Sequence, residues 1–154
     1  MLRGLHRTVV STPDLDRALH FYRDLIGLKV ITKGSWDAGW ESADTLIGRP
    51  GTAARWVMLS AGNSNLEIVQ YETPQSPVQD SHRPVSDHGI SRVCFEVIDI
   101  HVMYKNLRDA GVRFDSEPQD QGEFGTAVYA RDPDGNIVEL VEYPDRYHEE
   151  ALQT

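Results

Sequence analysis

The chain has 154 residues, 40% hydrophobic and 25% charged, with a formal net charge of -9 and a pI of about 5.0. That balance suits one soluble domain, or two small modules sharing a core, and speaks against nucleic-acid binding, which needs a basic face. No stretch reaches the roughly 18 apolar residues of a membrane span. The single cysteine, Cys94, excludes an intramolecular disulfide and fits a reducing, cytoplasmic setting.

Residues 5–12 (LHRTVVST) predict a strand of β-branched residues. Thr12 suits the N-cap of the following helix, and Pro13 its first turn. Leu15, Ala18, Leu19, Tyr22, Leu25 and Ile26 recur at helical spacing, and Gly27 supplies a stop. Strands are predicted at 28–33, 54–60 and 65–72, with AGNSN as a turn between the last two. Residues 34–53 read as a long loop carrying Trp36 and Trp40, and long loops in compact domains are often functional.

The pattern then repeats. The strand ISRVCFEV leads to Asp99, a natural N-cap, and Ile100, Met103, Leu107 and Ala110 form a helical face. Strands follow at 112–115, 125–131 and 136–143, the last two joined by a hairpin signal, Asp132-Pro133-Asp134-Gly135-Asn136. Shifting by 85 residues lays Arg7 on Arg92, Asp14 on Asp99, Arg23 on Arg108 and Asp24 on Asp109, so the repeat is taken as real. The organisation expected is a β-α-β-β-β module at 5–72, a proline-rich linker at 73–89, a second module at 90–143 and a polar tail at 144–154.

Arg7 and Arg92 each sit in an apolar strand run, seven residues before an aspartate that opens a helix. An arginine buried on a strand needs a carboxylate, and Glu67 and Glu139 lie on apolar strands of their own. Were those pairs buried, removing one partner would cost about 3–5 kcal/mol. Cys94 lies two residues after Arg92 on the same face. It is either a thiol activated by the guanidinium or a small residue filling space beside a cavity, and on either reading it is expected among the ligand-binding residues. Trp36 and Trp40 are expected against a ligand, whereas Trp56, on a strand, reads as core.

The paired modules, together with DLDRALHFYRDLIGL, FEVIDI and DPDGNIVELVE, resemble the vicinal oxygen chelate superfamily. That group includes glyoxalase I, methylmalonyl-CoA epimerase, extradiol dioxygenases, and fosfomycin- and bleomycin-resistance proteins. The resemblance covers about residues 5–143 and implies an α+β fold: two tandem β-α-β-β-β modules whose mixed sheets curl around a shared cavity. It also implies a divalent metal held from the first and fourth strands of each module, usually by His, Glu, His and Glu. Glu67 and Glu139 match the glutamate positions, but the histidine positions fall on Arg7 and Arg92. Guanidinium offers a metal no lone pair, and two carboxylates alone suit zinc, nickel or iron poorly.

Two arginines would instead balance two glutamates without metal, so no cofactor is expected. The functional reading is a lyase or isomerase acting on an acidic or carbonyl-bearing metabolite. Arg7 and Arg92 would hold its oxyanion, while Glu67 or Glu139 moves a proton. Three alternatives stay open. The four residues form only structural ion pairs. The protein is a metal-free, resistance-like binder that sequesters an aromatic drug or metabolite on Trp36 and Trp40. Or it is a metal-dependent glyoxalase, epimerase or dioxygenase in which His6 or His88 ligates zinc, nickel, manganese or iron. His6, next to Arg7, points to the other face of its strand. The expected partner is a small, anionic ligand, and the expected assembly a homodimer.

Overall fold

The computed structural model describes residues 3–144, so most of the expected polar tail lies outside the described residues. It divides into two compact units, 1–79 and 80–154. Each is a mixed open sheet with a helix laid on one face.

In the first unit β1 (Arg7–Ser11) leads into a helix that starts as α1 (Leu15–Leu19) and continues as His20–Leu25. Strands β2 (Lys29–Trp36), β3 (Ala53–Ser60) and β4 (Asn65–Thr73) follow, in the spatial order β1-β4-β3-β2. The β1–β4 pair is parallel and the others antiparallel. Leu66 and Ile68 of β4 and Val57 and Leu59 of β3 are buried, as are Leu15, Ala18, Phe21 and Tyr22 of the helix, which packs against β4.

Three local expectations are corrected here. The helix cap is Asp14, not Thr12: its Oδ1 accepts from the Arg17 amide at 3.0 Å, while Thr12 Oγ1 accepts from the Asp14 amide at 3.1 Å. The threonine thus braces the capping residue, one step removed. The helix then widens. The Ile26 amide donates to the Phe21 carbonyl, an i→i+5 bond that adds one residue to the turn. That extra residue turns Phe21 and Tyr22 inward together, so Phe21 joins the core although a period of 3.6 puts it outside. Finally, the expected loop at 34–53 is shorter. β2 runs on through Trp36, and α2 (Glu41–Ile47) occupies the middle of the segment.

In the second unit β5 (Arg92–Glu96) is followed by α3 (Ile100–Asp109), β6 (Arg113–Phe114), β7 (Gln119–Asp120), β8 (Thr126–Arg131) and β9 (Ile137–Glu142). The spatial order is β5-β9-β8-β6, with β7 also on β8. β7 is an addition to the expected pattern, too short to show as a period in the sequence. Asp99 does not cap α3 with its side chain; its backbone is left-handed, at φ 56°. Glu142 from β9 supplies the cap, one carboxylate oxygen accepting from the Asp99 amide at 2.7 Å and the other from Ile100 at 3.2 Å. A helix N-terminus favours such a negative charge. The expected linker is also more ordered than its composition suggests. Its 80–89 portion is tied down by Arg131, whose Nη1 donates to the Arg83 carbonyl at 2.7 Å, and by Arg83, whose Nη2 donates to the carbonyl of Ile90, just beyond it, at 2.9 Å.

Candidate functional site

Strand alternation sorts each sheet into a helix-covered face and an open face. In the first unit Leu66 and Ile68 point to the helix, which sends Glu67 to the open face. β1 pairs with β4 so that Val9 lies opposite Glu67, and Arg7, two residues earlier, shares that face. Arg7 Nε stands 2.7 Å from Glu67 Oε2.

The second unit builds the same pair. Val138 and Leu140 are fully buried, Glu139 is turned to the open face, and Cys94 lies opposite it on β5. Arg92 Nε donates to Glu139 Oε2 at 2.5 Å, and its guanidinium carbon lies 5.4 Å from the Tyr129 ring centroid. Tyr129 is the antiparallel partner of Glu139. The hydrogen bond to Glu139 raises Arg92 above its usual pKa and holds its charge.

These arginines are not buried as the sequence suggested. Their side chains are 42% and 37% exposed, against 15% for each glutamate. Both start edge strands, so one flank of each stays open. Losing one partner therefore costs about 1 kcal/mol, as for a partly solvated pair, and not the penalty of a buried one. The exposure also leaves donors free. Arg7 Nη1 contacts His6 Nδ1 at 3.3 Å, and Arg92 Nη1 contacts Ser91 Oγ at 3.4 Å. Neither Nη2 has a hydrogen-bond partner among the described residues. A guanidinium carries five N–H donors, so each pair keeps capacity for a ligand.

Cys94 is not an activated thiol. It is pushed up to about 12, first by desolvation, then by the Glu139 charge and hydrogen bond, while Arg92 pulls only weakly the other way. The direction stands because Glu139 faces Cys94 directly in the strand register. Alkylation by iodoacetamide near neutral pH should therefore be much slower than for free cysteine, and Glu139→Gln should speed it. A rate equal to that of free cysteine in the unaltered chain would contradict this.

The two loop tryptophans do come together. Trp36 meets Tyr71 edge-on at 6.0 Å and Trp40 at 6.3 Å. Trp36 and Tyr71 flank fully buried Ala54, which separates them in the strand order. The Trp36 indole donates to Thr52 Oγ1 at 3.2 Å, and that hydroxyl donates to Asp44 at 2.6 Å. Trp40 remains 56% exposed. Trp56 is half-buried on the open face, not core; a Cβ on Gly34 would lie 2.7 Å from its ring. Sequence reasoning passed over Tyr71 and Tyr129. Period two alone puts Tyr71 on the face of Glu67, but Tyr129 requires the hairpin register.

The donor set does not fit a divalent cation. At the four expected ligand positions, two groups are cations and each occupies a carboxylate. His6 and His88 are exposed, and among the described residues no group of three or more His, Cys, Asp or Glu side chains is placed to hold a metal ion. Nor is any described helix long and apolar enough to cross a membrane.

Two mixed sheets built on a repeated β-α-β-β-β plan carry the fold, and comparison with known proteins gives its class. The Glyoxalase/Bleomycin resistance protein/Dioxygenase superfamily model matches residues 4–140, and the chain belongs to that superfamily. It is 28% identical over 141 residues to a lactoylglutathione lyase of Schizosaccharomyces pombe. That match covers 89% of this chain and 46% of the other, so the chain spans about half the length of that relative. It is 26% identical over 142 residues to mitochondrial methylmalonyl-CoA epimerase of Mus musculus, covering 90% of this chain and 72% of that one. Among solved structures, a glyoxalase family protein from Bacillus cereus matches with a TM-score of 0.84 at 24% identity, over 92% of this chain and 95% of that one.

Proposed function

We propose that the protein is a lyase or isomerase acting on a small acidic or carbonyl-bearing metabolite, with the Arg–Glu pair on each sheet's open face as its chemical groups and no metal. The observation that carries this is that Arg7 and Arg92 keep 42% and 37% of their side chains exposed while a glutamate holds each guanidinium at Nε. A donor held in place before the ligand arrives stabilises a developing enolate oxygen without reorganising. A glutamate beside it can accept the proton from the carbon next to the carbonyl and return it. Relatives named as a lyase and an epimerase support the reaction class.

A second reading, sequestration of an aromatic compound, is favoured by the exposed Trp40 ring against Trp36. Proton exchange separates the two. Acids with a hydrogen next to a carbonyl are incubated with the protein in D2O and followed by NMR. Deuterium uptake at that carbon, lost in Glu67→Gln or Glu139→Gln, is the enzyme result. Compounds that bind without exchanging would establish sequestration.

A further inference from the structure

The first unit carries a cleft of about 150 Å³ lined by Ile47, Arg49, Thr52, Tyr71, Pro74 and Ser76. It is smaller than the ~300–1,000 Å³ of a site for a whole drug-sized ligand, and suits one end of a molecule. Its cation, Arg49, meets no carboxylate among the described residues; its side chain has one contact, with Ser76 Oγ at 3.5 Å. The acid behind Thr52, Asp44, is already taken up, accepting from the Gly51 amide at 2.7 Å, the Thr52 amide at 2.8 Å and the Thr52 hydroxyl at 2.6 Å. Ile47, Pro74 and the Tyr71 ring supply apolar walls.

The cleft lies at the end of the face that bears Glu67. Glu67, Val69 and Tyr71 alternate along β4, and four strand residues span ~13 Å. Trp56 is the register partner of Val69, and its ring lies over Gly34. The Trp36–Tyr71 pair comes next, above Ala54. The Trp56, Trp36 and Tyr71 rings therefore lie along the face between Arg7, which Glu67 holds, and Arg49 in the cleft.

We propose that this face takes an elongated dianion, with one acid on Arg7, an aromatic or acyl midsection on Trp56 and the Trp36–Tyr71 pair, and a second carboxylate or phosphate on Arg49 in the cleft. The inference rests on the anion-binding reading of Arg7 and extends it to a second site and a ligand length.

Calorimetric titration with biphenyl-4,4′-dicarboxylate and biphenyl-4-carboxylate tests it. The diacid should bind about tenfold tighter than the monoacid, the scale of one charge-assisted contact. Arg49→Gln should remove that advantage and leave the monoacid affinity unchanged, while Arg7→Gln weakens both. Arg49 is exposed, so the variant should melt like the parent. A diacid that gains nothing over the monoacid, or an Arg49→Gln variant that weakens both equally, overturns the inference and leaves the Arg7 reading standing. If neither acid binds the unaltered protein, both fall.

Discussion

Gly135→Ala should destabilise the second unit by about 3–5 kcal/mol, the range of the most damaging single substitutions. Gly135 sits at φ +86° in the β8–β9 turn, and an added Cβ would lie 2.4 Å from Ser81 Cα and 2.6 Å from both Ser81 Cβ and its carbonyl oxygen. That neighbour is backbone and has no rotamer to escape into. The turn cannot yield either. Asp132 is buried, and its carboxylate accepts from the Asp134 amide at 2.9 Å, the Asn136 amide at 2.8 Å and Asn136 Nδ2 at 2.7 Å. Gly111 is the control: φ is +89°, but an added Cβ there would meet nothing within 4 Å. Gly111→Ala should cost only about 1 kcal/mol of backbone strain. Urea unfolding of both variants checks this, and equal losses would contradict the contact.

Arg131→Met should cost about 1–3 kcal/mol in the same experiment, because a part-buried acceptor loses its donor. Its side chain is 8% exposed, and its guanidinium binds Asp115 bidentately, through Nε at 3.2 Å and Nη2 at 2.7 Å. Nη1 holds the Arg83 carbonyl at 2.7 Å. Methionine fills the volume but leaves that carbonyl unsatisfied. Asp115 is 42% exposed and can be rehydrated, which keeps the loss below that of a fully buried pair. Arg131→Lys should rescue little, because an ammonium cannot form the fork. Both Arg131 and Gly135 fix the 81–83 segment, so the double variant should lose less than the sum. A gain in stability, or no change, would mean the clamp is idle.

The Arg131–Gly135 region and the two Arg–Glu pairs are unequally legible in the sequence. Period two and the 85-residue offset place Arg7, Arg92, Glu67 and Glu139 on strands, and the structure pairs them as those strands dictate. Their exposure was hidden, since an edge strand and a central strand read alike as apolar runs. Glu142 capping α3 is a contact over 43 residues, and no local capping rule reaches that far. Phe21 was missed because one i→i+5 turn shifts the helical phase. Tyr129 opposite Glu139 depends on hairpin register, which the turn chemistry of DPDGN suggests but does not number. Arg131, just before that turn, reaches the Arg83 carbonyl over 48 residues, a contact that no local sequence signal carries.

The central claim is that Arg7 and Arg92 present charge to a ligand in place of a metal. It is tested by titrating an aromatic carboxylic acid and its neutral amide into the protein calorimetrically, with a strong chelator present throughout. The account predicts that the acid binds at least about tenfold tighter than the amide. Chelator should change nothing, and Arg7→Gln or Arg92→Gln should bring the acid down to the level of the amide. Equal affinity for acid and amide would contradict it, as would acid binding that disappears with chelator and survives in both arginine variants.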